Sequence, residues 1–455
     1  MVQYIINEVY YMMKKIILEN KESFLKDLFK LISFDTVLRE QPEVKDAPFG
    51  ESLVECLKWT LELGEKMGFK TKNVDNVAGH IEFGEGEEIL GILAHLDVVP
   101  TGEGWTNDPF TATVKDGNIY ARGVNDDKGP LMASLYAMKI LKDMGFKPNK
   151  RIRLILGTDE ESGSRGIHRY LEKEEMPTLG FSPDAEFPLI YAEKGIMSLD
   201  IISKEKDNDI VSVKSGDRYN VVPEKAFASI KKDLSKEFKE YLNENKFTGS
   251  IEKEFVTFGK RAHAMEPKNG DNAMLRMFNF LSKYLDNNLI KFVSKYLNDS
   301  RFNDINLAYS HKEMGDLTMN VAVCDINELG GKVGLNLRYP IGWDKDHFFK
   351  VLNEVASEYN LEVKVVTDNL PLYVNPEGEL IEKLHKAYID VTGDNVTPLQ
   401  TIGGGTYARS MKNAVAFGAA FPGREEVAHN VDEYMSIDDL LCALEIYIEA
   451  IKALG

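Results

Sequence analysis

Apolar residues recur at helical spacing from Asn20 to Phe34, where Phe24, Leu25, Leu28, Phe29, Leu31 and Ile32 form one stripe. A second amphipathic helix is predicted over about Glu51–Met67, ended by Gly68. The pattern then changes. Glu88–Leu96 (EILGILAHL) is a short apolar run with no polar alternation, the pattern of a strand covered on both faces. Pro130–Met144 reads as a helix, Arg151–Leu156 (RIRLIL) as a strand and Ser164–Lys173 as another helix. Strand, helix, strand, helix predicts an α/β fold with a mostly parallel sheet and helices on both faces.

From about Tyr191 the texture shifts. Ser198–Ile202, Ala226–Ile230 and Glu254–Phe258 read as strands with more polar alternation, and a long helix is predicted over Asn272–Leu297. Further strands fit Leu317–Val323 and Lys332–Arg338, and a helix fits Lys345–Tyr359. This is α+β material, and it predicts a large insert that splits the α/β domain. The expected boundaries are 1–191 for the first part of the α/β domain, 192–373 for the insert and 374–455 for the second part. In that second part, helices are predicted over Glu377–Val391 and from Ser436, where Asp439 stands three residues on as a capping-box partner.

Composition narrows the function. A chain of 455 residues has room for two or three domains. Its 55 Lys and Arg against 73 Asp and Glu give a net charge of −18. That surplus excludes a general nucleic-acid binder and disfavours an anionic membrane surface. Cys56, Cys324 and Cys442 are far apart and form no metal-binding or disulfide pattern. The apolar stretches near the start, Val9–Met13 and Ile16–Leu18, are short and split by Lys14 and Lys15, so neither a spanning helix nor a secretory signal is expected, and the cytoplasm is the expected location.

Five segments hold the residues suited to chemistry. His95–Leu96–Asp97 ends a predicted buried strand, where i and i+2 side chains share a face and where α/β sheets gather their sites. Alone it reads more readily as a packed His beside a surface Asp. Asp126–Asp127 precedes a helix and could serve only its dipole. Thr158–Asp159–Glu160–Glu161 follows the strand RIRLIL, with Ser182–Pro183–Asp184 and Val427–Ala428–His429–Asn430 further on. Each alone reads as a turn or solvated loop. Together they offer two imidazoles and several carboxylates with no thiolate, a donor set for zinc, manganese or cobalt. One carboxylate shared by two ions roughly 3.5–4 Å apart would make a two-metal hydrolytic site.

These segments resemble the aminoacylase/carboxypeptidase G superfamily of dinuclear zinc metallopeptidases, and most of all its bacterial Xaa-His dipeptidase (carnosinase-like) branch. The resemblance is carried by AHLDVVPTGEGWTNDPF, YARGVNDDKGP, GTDEESGSRG, FSPDAEFP, GDRYNVVPEKA, GKRAHAMEPKNGDNA, NLRYP, TIGGGTYAR and FPGREEVAHNVDE, in family order from Ala94 to Glu433. It implies two divalent metal ions, zinc first and manganese second. His95 and Asp184 would bind one ion, Glu161 and His429 the other, and Asp126 would bridge them. Glu160 would be the general base, and Asp97 would hydrogen-bond His95 and fix its ring. The resemblance also implies a cis Asp126–Asp127 peptide. His263, in the insert, would stabilise the oxyanion. Asn220, Arg338 and the backbone amides of Gly403, Gly404 and Gly405 would meet the substrate's C-terminal carboxylate. The insert resembles the doubled form of the family's lid, so a monomer is expected to be competent, with a homodimer as the other possibility.

The resulting expectation is a metal-dependent dipeptidase acting on small peptides with a free amino end. The alternatives are an N-acyl-amino-acid deacylase or a tripeptide aminopeptidase on the same metal site, or a non-catalytic binding protein that keeps the fold. His80, His168, His311, His347 and His385 read as surface or helix filler, Trp59 as core, and Trp105 as a residue that shapes the loop after His95.

Overall fold

The computed structural model describes residues 2–455, with side chains from residue 12 onward. Two compact units divide the chain. The first comprises Met1–Ala192, Val374–Gln400 and Thr406–Gly455, and the second Glu193–Tyr373 with Thr401–Gly405. The short glycine-containing stretch Thr401–Gly405 thus packs with the second unit although the chain on both sides of it belongs to the first.

The first unit is built on strands β1 (Lys70–Val74), β2 (Ala78–Phe83), β3 (Ile89–His95), β4 (Arg151–Gly157), β5 (Leu179–Ser182), β6 (Ile190–Glu193) and β7 (Ala414–Ala416). They lie in the order β1-β2-β4-β3-β5-β7-β6. The four central strands β4, β3, β5 and β7 are parallel, and antiparallel neighbours flank them on each side. Every residue of β3 is buried, as its unbroken apolar sequence requires. Helices cover both faces. On β2, Gly79 and Ile81 face Leu57, Leu61 and Gly64 of the helix Glu51–Lys66, while His80 between them turns to Tyr170 of the helix Arg165–Lys173. His80 is therefore buried, with Nδ1 2.8 Å from the Tyr170 hydroxyl, and is neither surface nor helix filler. Lys128–Asp143 packs against β3 and against the last helix, Ile437–Leu454.

The second unit is an eight-stranded antiparallel sheet. One face carries Met197, Leu199, Ile201, Val333, Leu335 and Leu337, and these pack with Phe238, Phe278, Phe292 and Phe348 of four helices. On the other face Asp200 accepts hydrogen bonds from Lys332 (2.8 Å) and Tyr219. This is the apolar-in, polar-out alternation of a half-covered sheet.

Several predicted elements change in extent. The first helix runs Val2–Ile32, well upstream of Asn20; the side chains of its first residues, including most of Val9–Met13, lie outside the described ones. β1 and β2, where the sequence reading placed no element, form the antiparallel edge of the sheet. The long helix predicted over Asn272–Leu297 is two helices, Ala273–Leu281 and Asn288–Tyr296. The break comes from Asn287, whose side chain accepts the Ile290 N–H at 3.0 Å and donates to Asp207, so the chain restarts a helix there. Ser436 does cap the last helix through the Asp439 N–H, but the Asp439 carboxylate pairs with Arg424 at 2.8 Å instead of returning to Ser436. No helix among the described residues is long and apolar enough to cross a membrane.

Asn287→Ala removes both the cap and the Asp207 contact. It is expected to lower stability by about 1 kcal/mol, read from the urea midpoint at unchanged slope; an unshifted midpoint would show that the break has another cause.

Candidate metal centre

The carboxyl ends of the parallel strands bring six of the singled-out side chains together. His95 closes β3 and is fully buried. Its Nδ1 lies 2.9 Å from the Asp97 carbonyl, which only accepts, so Nδ1 carries the hydrogen and Nε2 faces the carboxylates. Nε2 is 2.9 Å from Asp126 Oδ1 and 3.7 Å from Asp184 Oδ2. The other Asp126 oxygen is 2.9 Å from His429 Nε2, and that nitrogen is 3.0 Å from Glu161 Oε1. Asp126 thus stands between the two imidazoles with one oxygen toward each. Two triads, His95 with Glu160 and Asp184 and His95 with Asp126 and Glu161, have ligand atoms all within 4.8 Å of one another.

Local structure explains these positions. Asp126 sits in a loop that turns at Gly123, where φ is +84° and an added Cβ would lie 2.9 Å from Val98. The Asp126–Asp127 peptide is cis. Asp127 begins the helix Lys128–Asp143, and its Oδ2 accepts the His95 N–H at 3.1 Å. Glu160 and Glu161 follow β4. His429 adopts φ 65° in the loop before the last helix. Trp105 shapes the loop after His95 through a 2.7 Å bond from its indole N–H to the Thr101 carbonyl.

Asp97 acts differently from expectation. Its carboxylate is 3.6 Å from His95 Nδ1, beyond a hydrogen bond, and the ring is held by the Asp97 carbonyl. The carboxylate instead accepts the N–H groups of Glu160 (3.1 Å) and Glu161 (3.0 Å) and so fixes the turn that presents both.

Burial and crowding set the electrostatics. Burial, then the neighbouring Asp184, push the Glu160 carboxyl well above its ordinary range. Burial, then Asp126, raise Asp184 to about 7. Burial opposes ionisation of Asp126, yet the His429 and His95 imidazoles outweigh it and take this carboxyl below the usual range. Partial desolvation opposes charge on the half-exposed His429, and Asp126 and Glu161 outweigh this and raise the imidazole to about 11. Carboxylates forced together in this way are relieved by cations, and carboxylate plus imidazole is the donor chemistry that suits zinc or manganese.

The expected substrate contacts lie in the second unit. Asn220 precedes, and His263 belongs to, a two-stranded ribbon in which Val221 pairs with His263, and the Asn220 carbonyl accepts the Ala264 N–H at 2.9 Å. Both residues are exposed. Met265, two residues past His263, meets Gly403 so closely that a Cβ there would fall 2.9 Å from its own. The Gly403 carbonyl accepts from Arg338 Nη1 at 2.8 Å, and Arg338 Nε donates to Asn336. Gly404 is half-buried and Gly405 exposed. Asn320, which no motif singled out, ties the ribbon to the sheet by donating to the Val221 carbonyl at 2.8 Å.

Other supporting residues escaped the sequence reading. Glu433 is fully buried and accepts from Arg122 and from the backbone of the Asp126 loop. Tyr407 is buried edge-on to His95, ring centres 6.2 Å apart. Both lie inside quoted motifs, but nothing in one sequence separates Glu433 from Asp432 or marks Tyr407 as other than core.

A parallel α/β sheet whose strand ends converge imidazoles and carboxylates on one shared Asp defines the class of metal-dependent hydrolases. The chain belongs to peptidase family M20/M25/M40, whose model matches residues 91–453. It is 42% identical to a Bacillus subtilis (strain 168) protein named "Putative dipeptidase YtjP", over 96% of this chain and 98% of that one. It is 40% identical to "Putative dipeptidase MW1694" of Staphylococcus aureus (strain MW2), over 97% and 99%. Its fold is similar to that of human carnosine dipeptidase 1, with TM-score 0.59, 13% identity and 98% of both chains covered. It is also similar to the metallo-carboxypeptidase Sso-CP2 from Sulfolobus solfataricus, with TM-score 0.60, 17% identity, and 94% of this chain and 98% of that one covered. At these identities the structures speak for the fold alone.

The shifts predict a pH dependence for chelator-treated protein. Asp184, raised from 3.8 to about 7, and His429, raised from 6.5 to about 11, bind protons more tightly folded than unfolded. Stability is therefore lost as pH rises, through the window 3.8–7 for Asp184 and 6.5–11 for His429. Asp126 has the opposite sign, and its contribution is lost only as pH falls below 3.8. The urea midpoint is expected to fall steadily from about pH 5 to about pH 9; a midpoint that rises over this range contradicts the cluster.

Proposed function

We propose that this chain is a metal-dependent dipeptidase that hydrolyses the peptide bond of dipeptides with a free amino end. One observation carries the reading: the Asp126 carboxylate faces His95 with one oxygen and His429 with the other. That arrangement supports two ions sharing Asp126, one held also by His95 and Asp184 and the other by Glu161 and His429. Zinc is the first candidate and manganese the second, since both accept these donors. The names of the relatives support the substrate class.

Divalent ions held by these residues would supply Lewis acidity and would acidify a water toward a pKa of about 7. Glu160 takes the water's proton and later returns it to the leaving amine. Asp97 keeps Glu160 and Glu161 in place through their N–H groups. His263 donates to the oxygen on which negative charge develops. Arg338 and Asn220, with the amides of Gly403, Gly404 and Gly405, receive the substrate's C-terminal carboxylate; a guanidinium matches it with paired donors. In this reading His263 comes from the same chain, so a monomer is competent, and the enzyme works in the cytoplasm on free peptides.

The test is a panel of dipeptides, tripeptides and N-acetylated dipeptides offered to chelated enzyme restored with zinc or manganese. Dipeptides are expected to be cleaved only after metal is returned, with acetylated ones spared. Faster turnover of the acetylated or tripeptide substrates would instead identify a deacylase or a tripeptide aminopeptidase. Glu160→Gln is expected to lower kcat by about 10²–10⁴-fold at unchanged metal content, and full turnover would remove Glu160 from the role of base.

A further inference from the structure

Glu433 lies four residues past His429, yet its carboxylate points into the loop that carries Asp126. Oε1 accepts the N–H groups of Asn125 (2.8 Å) and Asp126 (3.2 Å), and Oε2 accepts the Gly123 N–H (3.0 Å) and Arg122 Nη1 (2.7 Å). The Glu433 carbonyl also accepts the Ala121 N–H at 3.0 Å. Arg122 and Glu433 are each at most 1% exposed. The other guanidinium nitrogen, Arg122 Nη2, points to the carbonyls of His429, Thr101 and Pro100, each at 3.4 Å. Its planar face lies 5.2 Å from the Trp105 ring. One buried ion pair therefore joins the loop after His95, the Asp126 loop and the His429 loop.

We propose that the Arg122–Glu433 pair is a positioning device that sets the spacing of Asp126 and His429, and with it the affinity of the site for one divalent cation of the two. The inference rests on the two-ion reading above. Three of the four contacts to this carboxylate come from the N–H groups of Gly123, Asn125 and Asp126, so it orients the chain leading into Asp126 and with it the reach of the Asp126 carboxylate. Arg122 holds the His429 backbone from the other side. The pair makes no hydrogen bond to His95 or Asp184, the two ligands that belong to the other ion alone. Both ions share Asp126, but only the one with Glu161 also depends on His429, whose carbonyl Arg122 holds, so the loss should fall mainly on that cation. Groups that support metal ligands in this way change affinity by about 10–100-fold when altered.

The experiment is calorimetric titration of the full-length metal-free protein with Mn²⁺, wild type against Glu433→Gln, which keeps the shape and removes the charge. The wild type is expected to bind two ions. The variant is expected to bind one of them about 10–100-fold more weakly and the other within about threefold of the wild type. Circular dichroism and melting of the metal-free variant check that it folds. If it does not, the Arg122→Met/Glu433→Gln pair, which leaves no unpaired buried charge, is titrated against the same criteria. Two ions bound at wild-type affinity, or equal weakening of both, would overturn the proposal. A wild type that binds no ion or a single ion would instead remove the two-ion reading beneath it.

Discussion

Like charges brought out of water are the constraint around which the first unit is arranged. Asp126, Glu160, Glu161 and Asp184 share one pocket at the ends of β3, β4 and β5, and burial raises three of their four carboxyls. Only Asp126 stays below its ordinary range, because it alone faces both imidazoles. A cluster of this kind is costly for folding and useful for chemistry. It holds together because the surrounding chain over-determines it: the Asp97 carboxylate fixes one acidic turn, Asp127 fixes the His95 backbone, and Glu433 fixes the Asp126 loop.

Two of these supports share a logic. Asp97 and Glu433 are buried carboxylates that accept two or more backbone N–H groups, joined for Glu433 by a guanidinium, whereas Asp127 accepts only the His95 N–H and burial, then Asp184, push its carboxyl well above the ordinary range. Removing one partner of a buried pair costs about 3–5 kcal/mol, so such residues are tied to the fold as firmly as any apolar core position. The second unit uses neutral groups for the same purpose. There Asn320 holds the ribbon of Asn220 and His263, and Gly403 leaves space for Met265 beside the Arg338 contact.

The sequence alone determined the α/β character, because an unbroken apolar run such as Ile89–His95 has few structural meanings and alternating strand and helix patterns have fewer. It also determined which residues could meet. His95, Asp126, Glu160, Glu161 and Asp184 sit at or next to the ends of elements and His429 in a loop, all in short segments whose donor types match, and the fold gathers them. Tertiary structure decided what periodicity cannot express. Asn287 splits an apolar stretch that reads as one helix, because a single side chain caps a new start. Asp97 serves the Glu160 turn while its carbonyl serves His95, a division invisible in the letters. Glu433 reaches back by 310 residues to Gly123, and no local pattern reports a partner so distant in sequence. Local spacing encodes which faces are buried; the aim of a polar side chain depends on where the chain returns.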